Sequence, residues 1–280
     1  MQVLKKLFDF YINGSIHVAL SAYALVQMTG FLFPISNINS SASFAFFGTI
    51  VGYNFVKYDA LARTQKRQMK FQLKSIALLS FLSFLATGFF FLQLEQITKI
   101  IAFVFLILTL LYTLPFFPNR KNARNWAGVK IYIVALCWVG VTLFLPIINS
   151  GIPITTDFFL VATQRFILIF VLILIFEIID LQQDDPHLKT VPQQIGVKHT
   201  KMVGSLLLLA LVSLEFFDTN FSYPTLLLKT GVATTVFLFL VFSNEKRSKY
   251  YSSFWVESVP IFWWLLLLLF SQIFQNFIPF

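Results

Sequence analysis

The chain has 280 residues, of which 58% are apolar and only 12% carry a charged side chain. Soluble globular domains carry charge on about a quarter of their residues, so this composition excludes a water-soluble protein and indicates one that is solvated by lipid. The net charge of +9 would suit a nucleic-acid partner only on a soluble basic face, and no segment of the sequence provides one. The single cysteine, Cys137, has no disulfide partner in the chain, so we interpret it as a packing residue.

Apolar runs predict nine membrane-spanning helices in chain order. Lipid cannot satisfy free backbone groups, so each span must be a helix of about 20 residues or a strand of a closed barrel, and the long continuous runs exclude a barrel. The first run follows Lys5 and Lys6, but no small-residue cleavage site follows it, so we interpret it as a span and not as a signal peptide. The predicted spans are 16–33, 40–57, 76–92, 97–114, 131–148, 158–179, 202–217, 224–242 and 254–270.

The distribution of Lys and Arg predicts how these spans are oriented. If the N-terminus is cytoplasmic, all but three of the 21 basic residues fall on the cytoplasmic side, as the positive-inside rule requires. The exceptions are Lys99, Arg165 and Lys229. We therefore predict an all-α integral membrane protein, a nine-helix bundle with its N-terminus in the cytoplasm and its C-terminus outside. The loops are too short to hold a soluble domain, so residues 1–280 are predicted to form one transmembrane domain.

Two loops on the predicted cytoplasmic face combine acidic and basic residues. Asp180 and Asp184, at the end of the sixth span, are four residues apart, so on a continuing helix they would share one face with Cβ atoms about 5–6 Å apart. Two carboxylates this close favour a cation between them, and Mg²⁺ typically takes one or two carboxylates together with water and phosphate oxygens. Nearby Lys and Arg would neutralise the remaining phosphate charge. The pattern indicates a site for magnesium and a diphosphate.

Plainer interpretations of the same residues remain open. Asp180 and Asp184 precede Pro186, and acidic residues at a helix end are often only a solvated loop. Asp59, in the loop after the second span, could form a surface ion pair that contributes little. The basic run 63–74 could anchor anionic lipid headgroups. Abundant phenylalanine, 36 residues, is expected to face lipid.

Two charged residues, Arg165 and Glu177, lie within the sixth predicted span. They are twelve residues apart, too far for a pair on adjacent helical turns. A charge inside a span is costly and usually faces a polar interior. Glu177 is one turn before Asp180, so we expect it to extend the acidic cluster into the bundle. For Arg165 two alternatives stay open, an outward-reaching side chain or an interior pair.

The two loops resemble the motifs of the UbiA superfamily of intramembrane prenyltransferases, whose members are nine-helix bundles with an Asp-rich motif after the second helix and another after the sixth. The second motif is similar to a set in this chain that comprises Asp180, Asp184, Lys189, Thr190, Pro192 and Gly196, and Tyr112, Pro115 and Lys130 match landmarks between the fourth and fifth helices. The second motif is shortened between Asp184 and Thr190 and lacks the usual glycine. The first motif begins at Asn54 but has Tyr58 and Ala62 where the family has aspartates, and Asp59 is displaced.

The resemblance implies a prenyl transfer in which Mg²⁺ assists the ionisation of a polyprenyl diphosphate, and a lipophilic or aromatic acceptor captures the cation, as in quinone biosynthesis. It implies Asp59, Asp180 and Asp184 as catalytic residues and Asn54, Asp59, Asp180 and Asp184 as metal ligands. The predicted diphosphate-binding residues are Lys57, Arg63, Arg67, Lys130 and Lys189. Membrane lipids are the other expected partners, no nucleic acid is expected, and the expected location is a bacterial cytoplasmic membrane.

Two alternatives to this function stay open. The altered first motif is compatible with a catalytically inactive UbiA-like protein that binds lipid or serves as an accessory subunit. A small transporter would use Arg165 and Glu177 as its intramembrane charges, although the two halves of the sequence show no paired broken helices.

Overall fold

A computed structural model describes residues 2–64, 71–113 and 128–273, and these residues form helices without any strand. The described residues of the nine predicted spans lie almost entirely in helices. The helices are α1 (Gln2–Asn13), α2 (Ile16–Leu32), α3 (Asn39–Thr64), α4 (Phe71–Leu92), α5 (Gln96–Thr113), α6 (Lys130–Ser150), α7 (Thr156–Ile179), α8 (Val191–Phe217), α9 (Tyr223–Phe242) and α10, in which a π-helical part (Tyr251–Val256) precedes an α-helix (Val259–Ile273).

Six of the described helices, α4 and α6 to α10, are long and apolar enough to cross a membrane. Helices α1 and α2 meet at 54° and would together provide a seventh span. Helix α3 is long but carries polar side chains, and the side chains of α5 are described only over Gln96–Leu110. The fold is therefore an all-helical bundle with at least this set of candidate membrane spans.

Helix α7 runs through the centre of the bundle. Its residues Leu168, Val171, Ile175 and Ile178 are fully buried and belong to one core cluster with residues of α2, α6, α8, α9 and α10. By contrast, Phe81, Phe84 and Phe89 of α4 are exposed on the outer surface, as expected for side chains that face lipid. The central position of α7 places the charged residues of the sixth predicted span inside the protein.

The bend between α1 and α2 is held in place by α3. Asn54 Nδ2 donates to the carbonyl of Gly14 (3.1 Å), Lys57 Nζ donates to Ser15 Oγ (3.2 Å), and the Tyr58 hydroxyl donates to the carbonyl of Asn13 (2.9 Å). Ser15 has φ +61°, a left-handed conformation at the bend itself. The start of the first Asp-motif region thus fixes the geometry of the N-terminal helices.

Arg165 lies in the protein interior, so its side chain does not reach outward, and its partners there are neutral groups and not a carboxylate. Residue 146 of α6 is a proline without an N–H, so it cannot donate to the carbonyl of Thr142, which lies in a π-helical part of α6 (Gly140–Phe144). Arg165 Nη1 donates to this carbonyl (2.7 Å) and to Thr29 Oγ1 (2.6 Å), and the Thr29 hydroxyl donates to the same carbonyl (2.7 Å). Arg165 therefore joins α2, α6 and α7 through neutral acceptors.

A second buried polar group joins α7, α8 and α9 next to Arg165. Lys229 forms an ion pair with Glu215, and both side chains are buried. Gln164 accepts a hydrogen bond from Lys229 Nζ (2.9 Å) and donates one to Glu215 Oε2 (3.0 Å). Each charge is therefore neutralised and hydrogen-bonded, as buried charges must be.

Candidate functional site

The end of α7 brings together the acidic residues of the second motif. Glu177 is buried in the last turn, Asp180 ends the helix, and Asp184 follows one turn later. The N–H groups of Gln183 (2.8 Å) and Asp184 (2.9 Å) both donate to the carbonyl of Asp180. These bonds fold the segment into a tight turn, so the helical spacing assumed for Asp180 and Asp184 is approximately retained after the helix ends.

Glu177 links this turn to the beginning of α8. Its Oε2 accepts a hydrogen bond from the N–H of Val191 (3.0 Å), the first residue of that helix. A carboxylate at a helix N-terminus satisfies a free N–H and interacts favourably with the helix dipole. Glu177 also interacts electrostatically with Asp184 and with Lys130. The structure therefore places Glu177 beside the acidic cluster and gives it a structural role as well.

Lys130 is brought to the acidic turn from a distant part of the sequence. The N–H of Gly128 donates to the carbonyl of Leu188 (3.1 Å), which fixes the start of α6 against this loop. Gly128 has φ +71°, and a Cβ there would lie 3.2 Å from Gln194 Nε2, so glycine suits the position both conformationally and sterically. Lys130 interacts electrostatically with Asp180 as well as with Glu177. We define Glu177, Asp180, Asp184 and Lys130 as the acidic-turn site.

The acidic-turn site has three carboxylates and one cationic side chain. Burial, first, and the neighbouring Asp184 carboxylate, second, raise the pKa of Asp180 above its ordinary value, and Lys130 opposes this shift. Asp184 Oδ2 is buried and has no hydrogen-bond partner. A buried carboxylate oxygen without a donor is costly, and a hard cation would satisfy it. Two carboxylates, one with an unpaired oxygen, fit the small number of protein ligands that Mg²⁺ normally takes.

The site is not a closed metal cage. Among the described residues, no group of three or more His, Cys, Asp or Glu side chains is arranged to hold a metal ion. A magnesium ion there would depend on water and on substrate oxygens for its remaining ligands.

The remaining predicted residues lie in different places. Lys189 is exposed in the loop that follows Asp184, and its φ of +45° is unusual for a residue with a side chain. Asn54 is buried in α3, where its amide binds Gly14 and Ser80 (3.0 Å), and no hydrogen bond joins it to Asp180 or Asp184. The side chains of Asp59 and Arg63, and the whole of Arg67, lie outside the described residues.

Three residues near the α1–α2 bend were not predicted from the sequence to be functional: Tyr11, His17 and Glu257. Glu257 lies in the turn between the two parts of α10 and interacts electrostatically with Lys57 and Tyr11. His17 of α2 binds Tyr11 (2.7 Å) and the backbone carbonyl of Phe254 (2.9 Å). A carboxylate within an apolar run was the signal that singled out Glu177, and the same signal was present for Glu257 in the ninth predicted span.

Comparison with protein-family models, with curated proteins and with solved structures finds no match to this chain.

Proposed function

We propose that this protein is a Mg²⁺-dependent intramembrane prenyltransferase of the UbiA kind, which transfers a prenyl group from a polyprenyl diphosphate to a lipophilic or aromatic acceptor. The proposal includes the nine-span topology, with the N-terminus and the acidic-turn site in the cytoplasm and the C-terminus outside. It also includes a bacterial cytoplasmic membrane as the location. The single observation that carries the proposal is the hydrogen bond from Gly128 to Leu188, which brings the start of α6, with Lys130, to the loop that carries Asp180 and Asp184 at one end of the central helix.

This arrangement supports a diphosphate site because the fold brings together acidic and basic residues that are distant in the sequence. Lys130 lies at the start of α6, fifty residues before Asp180, yet the hydrogen bond between Gly128 and Leu188 holds this start against the loop that follows the acidic turn. Carboxylates that hold a metal and a cation that binds phosphate oxygens are the two components that a Mg²⁺–diphosphate ligand requires. Lys189 is in the same loop and is proposed as a second cation for the diphosphate, whereas Lys57, Arg63 and Arg67 stay predictions for it.

The proposed reaction gives a role to the predicted metal ligands and to the predicted diphosphate-binding residues. A bound Mg²⁺ would neutralise the charge that develops on the leaving diphosphate. Asp180 and Asp184 would hold this metal, with Asn54 and Asp59 as predicted ligands from the first motif. Lys130 and Lys189 would bind the diphosphate oxygens as the allylic bond breaks. The apolar interior around α7 would hold the prenyl tail away from water.

The experiment that tests the proposal is a transfer assay with purified protein, Mg²⁺, labelled polyprenyl diphosphates of several lengths, and aromatic or quinone-precursor acceptors. The proposal predicts diphosphate release that requires Mg²⁺ and acceptor. Asp180→Asn and Asp184→Asn should each lower the rate at least about 100-fold, since each removes a charged ligand that acts in the transition state.

A matched control is available one residue away. Asp185 is exposed, and its carboxylate accepts hydrogen bonds from the N–H (2.9 Å) and the ring (3.1 Å) of His187. Asp185→Asn keeps this turn, because asparagine caps it similarly, and should retain activity. No diphosphate release with any donor and acceptor, or equal loss in all three variants, would contradict the proposal.

A second candidate function is a catalytically inactive relative that binds lipid or serves as an accessory subunit. The observation that favours it is the use of Asn54 as a structural residue, with both amide hydrogens bound to Gly14 and Ser80. This alternative predicts lipid binding that is independent of Mg²⁺ and unchanged in Asp180→Asn and Asp184→Asn. Loss of Mg²⁺-linked diphosphate binding in those variants would rule it out.

A further inference from the structure

We propose that helix α1 is a membrane-surface anchor that binds anionic phospholipid where α2 enters the membrane. One side of α1, formed by Val3, Leu4 and Leu7, lies among the acyl chains, and Lys5 and Lys6 bind the headgroup phosphates. We call these five residues the α1 anchor. The lipid concerned is part of the membrane and is not a substrate of the proposed reaction.

The sequence of α1 separates apolar and basic side chains onto opposite sides of the helix. Val3, Leu4 and Leu7 have the spacing of one helical side and are 69%, 72% and 61% exposed. Lys5 and Lys6 lie on the remaining surface and are exposed as well. Residues 2–8 are all exposed, so this half of α1 projects from the described part of the bundle. Helices with this pattern typically lie in the interface between headgroups and acyl chains.

Helix α1 is too short to cross a membrane by itself. Its 12 residues span about 18 Å, whereas the hydrocarbon core of a bilayer is about 30 Å thick. Helix α2 has 17 residues, the lower limit for a span, and the 54° bend turns α1 away from its axis. Helix α2 therefore provides the crossing, and α1 extends sideways from its end.

The second half of α1 is docked where the candidate span of α10 begins. The Phe8 ring contacts the rings of Tyr250 (5.6 Å between centroids) and Phe254 (5.2 Å), and the Tyr250 hydroxyl donates to Asp9. The candidate span of α10 begins at Tyr251, the next residue. Tyrosine is enriched at the boundary between hydrocarbon and water. This contact therefore places α1 at the level of that boundary.

The bend between α1 and α2 lies close to the start of another candidate span. A Cβ on Gly14 would be only 3.1 Å from Leu79 Cδ2 of α4, so the bend and α4 are in close contact there. The apolar run of α4 begins about one turn earlier, at Ile76, and follows the exposed Lys74. The contacts with α4 and with α10 both place α1 at the edge of the hydrocarbon region.

Basic residues are concentrated around these contacts. The loop before α10 has three exposed basic residues, Lys246, Arg247 and Lys249. Lys249 Nζ lies 5.1 Å from the ring centroid of Tyr250, the residue that binds Asp9. Residues 2–13 and 243–250 together have five basic residues and two acidic ones. Clusters of about four to eight basic residues at the membrane end of a helix are typical of anionic-lipid binding.

Other molecules that could cover the apolar side of α1 fit its charge less well. Zwitterionic lipid would cover Val3, Leu4 and Leu7 but would leave the excess positive charge without a counter-charge. A second copy of the chain would bring an identical basic segment, and like charges repel. Anionic phospholipid supplies acyl chains for one side of α1 and phosphates for the lysines, whose long side chains reach the headgroups from the interface.

The test places the fluorophore NBD on α1 of the full-length protein in lipid nanodiscs that contain phosphatidylcholine and a minor fraction of phosphatidylglycerol. In a Cys137→Ser background, the label is attached through Leu4→Cys on the apolar side or through Gln2→Cys on the opposite side. We expect the label at position 4 to be quenched by lipid with a 5-doxyl group on its acyl chain and to be shielded from aqueous iodide. The label at position 2 should show the opposite pattern.

Lipid selectivity at α1 is measured by changing which lipid carries the doxyl group, at constant mole fraction and constant total composition. Quenching of the label at position 4 should be at least about threefold stronger with doxyl-phosphatidylglycerol than with doxyl-phosphatidylcholine, because lysines near the surface attract anionic lipid. Lys5→Gln combined with Lys6→Gln should abolish most of this difference, and each single variant should reduce it. Lys198→Gln, which changes an exposed lysine of α8, is the matched control and should keep it.

Three outcomes would overturn the proposal. The first is equal quenching by the two doxyl lipids, or a preference that persists without Lys5 and Lys6. The second is iodide access at position 4 equal to that at position 2, which would place the apolar side in water. The third is a label at position 4 that is shielded from both quenchers, which would show that another protein surface covers α1. None of these outcomes depends on prenyl transfer.

Discussion

Arg165 shows how a buried charge can be held by neutral groups. Pro146 cannot donate to the Thr142 carbonyl, and Arg165 Nη1 and the Thr29 hydroxyl both donate to this carbonyl. Among the described residues no carboxylate forms an ion pair with Arg165. The positive charge is stabilised by the carbonyl dipole and by hydroxyl oxygens, so each of these neutral partners contributes to stability.

Thr29→Val tests this interpretation with an isosteric change. Valine removes the hydroxyl that accepts from Arg165 and donates to Thr142, so we expect a loss of about 1–3 kcal/mol in the free energy of unfolding. The measurement is the midpoint of thermal unfolding in detergent. Thr163→Val is the control, because Thr163 is exposed on α7 and its hydroxyl bonds only within the helix. An equal effect of both variants would contradict the assigned role.

The pair of Lys229 and Glu215 predicts a different outcome for single and double variants. Glu215→Gln leaves the Lys229 ammonium buried without a counter-charge, and such changes typically cost about 3–5 kcal/mol. Glu215→Gln combined with Lys229→Met removes both charges and should recover most of that loss. A double-mutant cycle based on thermal unfolding measures this coupling. A single variant as stable as the wild type would show that the pair is not held in the buried geometry.

At the scale of elements, the sequence predicted what depends on local spacing and missed what depends on distant contacts. The turn from Asp180 to Asp184 follows from a four-residue spacing at a helix end, and Glu177 lies beside it as expected. The position of Asn54 could not be predicted, because its partner Gly14 is brought to α3 by the 54° bend between α1 and α2. The docking of Lys130 likewise depends on Gly128 and a loop distant in sequence.

The acidic turn predicts a specific pH dependence of stability. The pKa of Asp180 is raised, so the folded chain retains this proton to a higher pH than the unfolded chain does. The free energy of unfolding should therefore fall as pH rises from the ordinary aspartate pKa, about 3.9, through the raised value. Asp180→Asn should remove that decrease.

Magnesium should restore stability above this pH window, because the metal binds the ionised carboxylate. Thermal unfolding of wild type and Asp180→Asn across pH, each with and without Mg²⁺, measures both effects. Identical pH profiles for the two proteins would contradict the environment assigned to Asp180.

For the whole molecule, composition together with the length of the apolar runs was sufficient to predict an all-helical protein with several helices apolar enough to span a membrane. The number of spans is less directly predictable from the sequence, because α3 continues to Thr64 with polar side chains. The central position of α7 was not predictable either, since an apolar run looks the same whether it faces lipid or other helices. The burial of Arg165 and Glu177 follows from that position.

The proposed topology predicts which loops an impermeant thiol reagent can reach in intact cells. In a Cys137→Ser background, cysteines that replace Glu95 and Asn220 should be labelled from outside. Cysteines that replace Gln183 and Ser248 should be labelled only after the membrane is opened, because nine spans place them in the cytoplasm. All four positions are exposed in the structure. Labelling of Gln183→Cys in intact cells would contradict the orientation.

The central claim is that the acidic-turn site binds a diphosphate together with magnesium. Isothermal titration of the detergent-solubilised protein with farnesyl thiolodiphosphate, a donor analogue that resists ionisation, measures this directly with and without Mg²⁺. We predict binding that requires Mg²⁺, that weakens at least about tenfold in Asp180→Asn and in Asp184→Asn, and that is unchanged in Asp185→Asn. Binding that is independent of Mg²⁺, or equal in all three variants and the wild type, would contradict the claim.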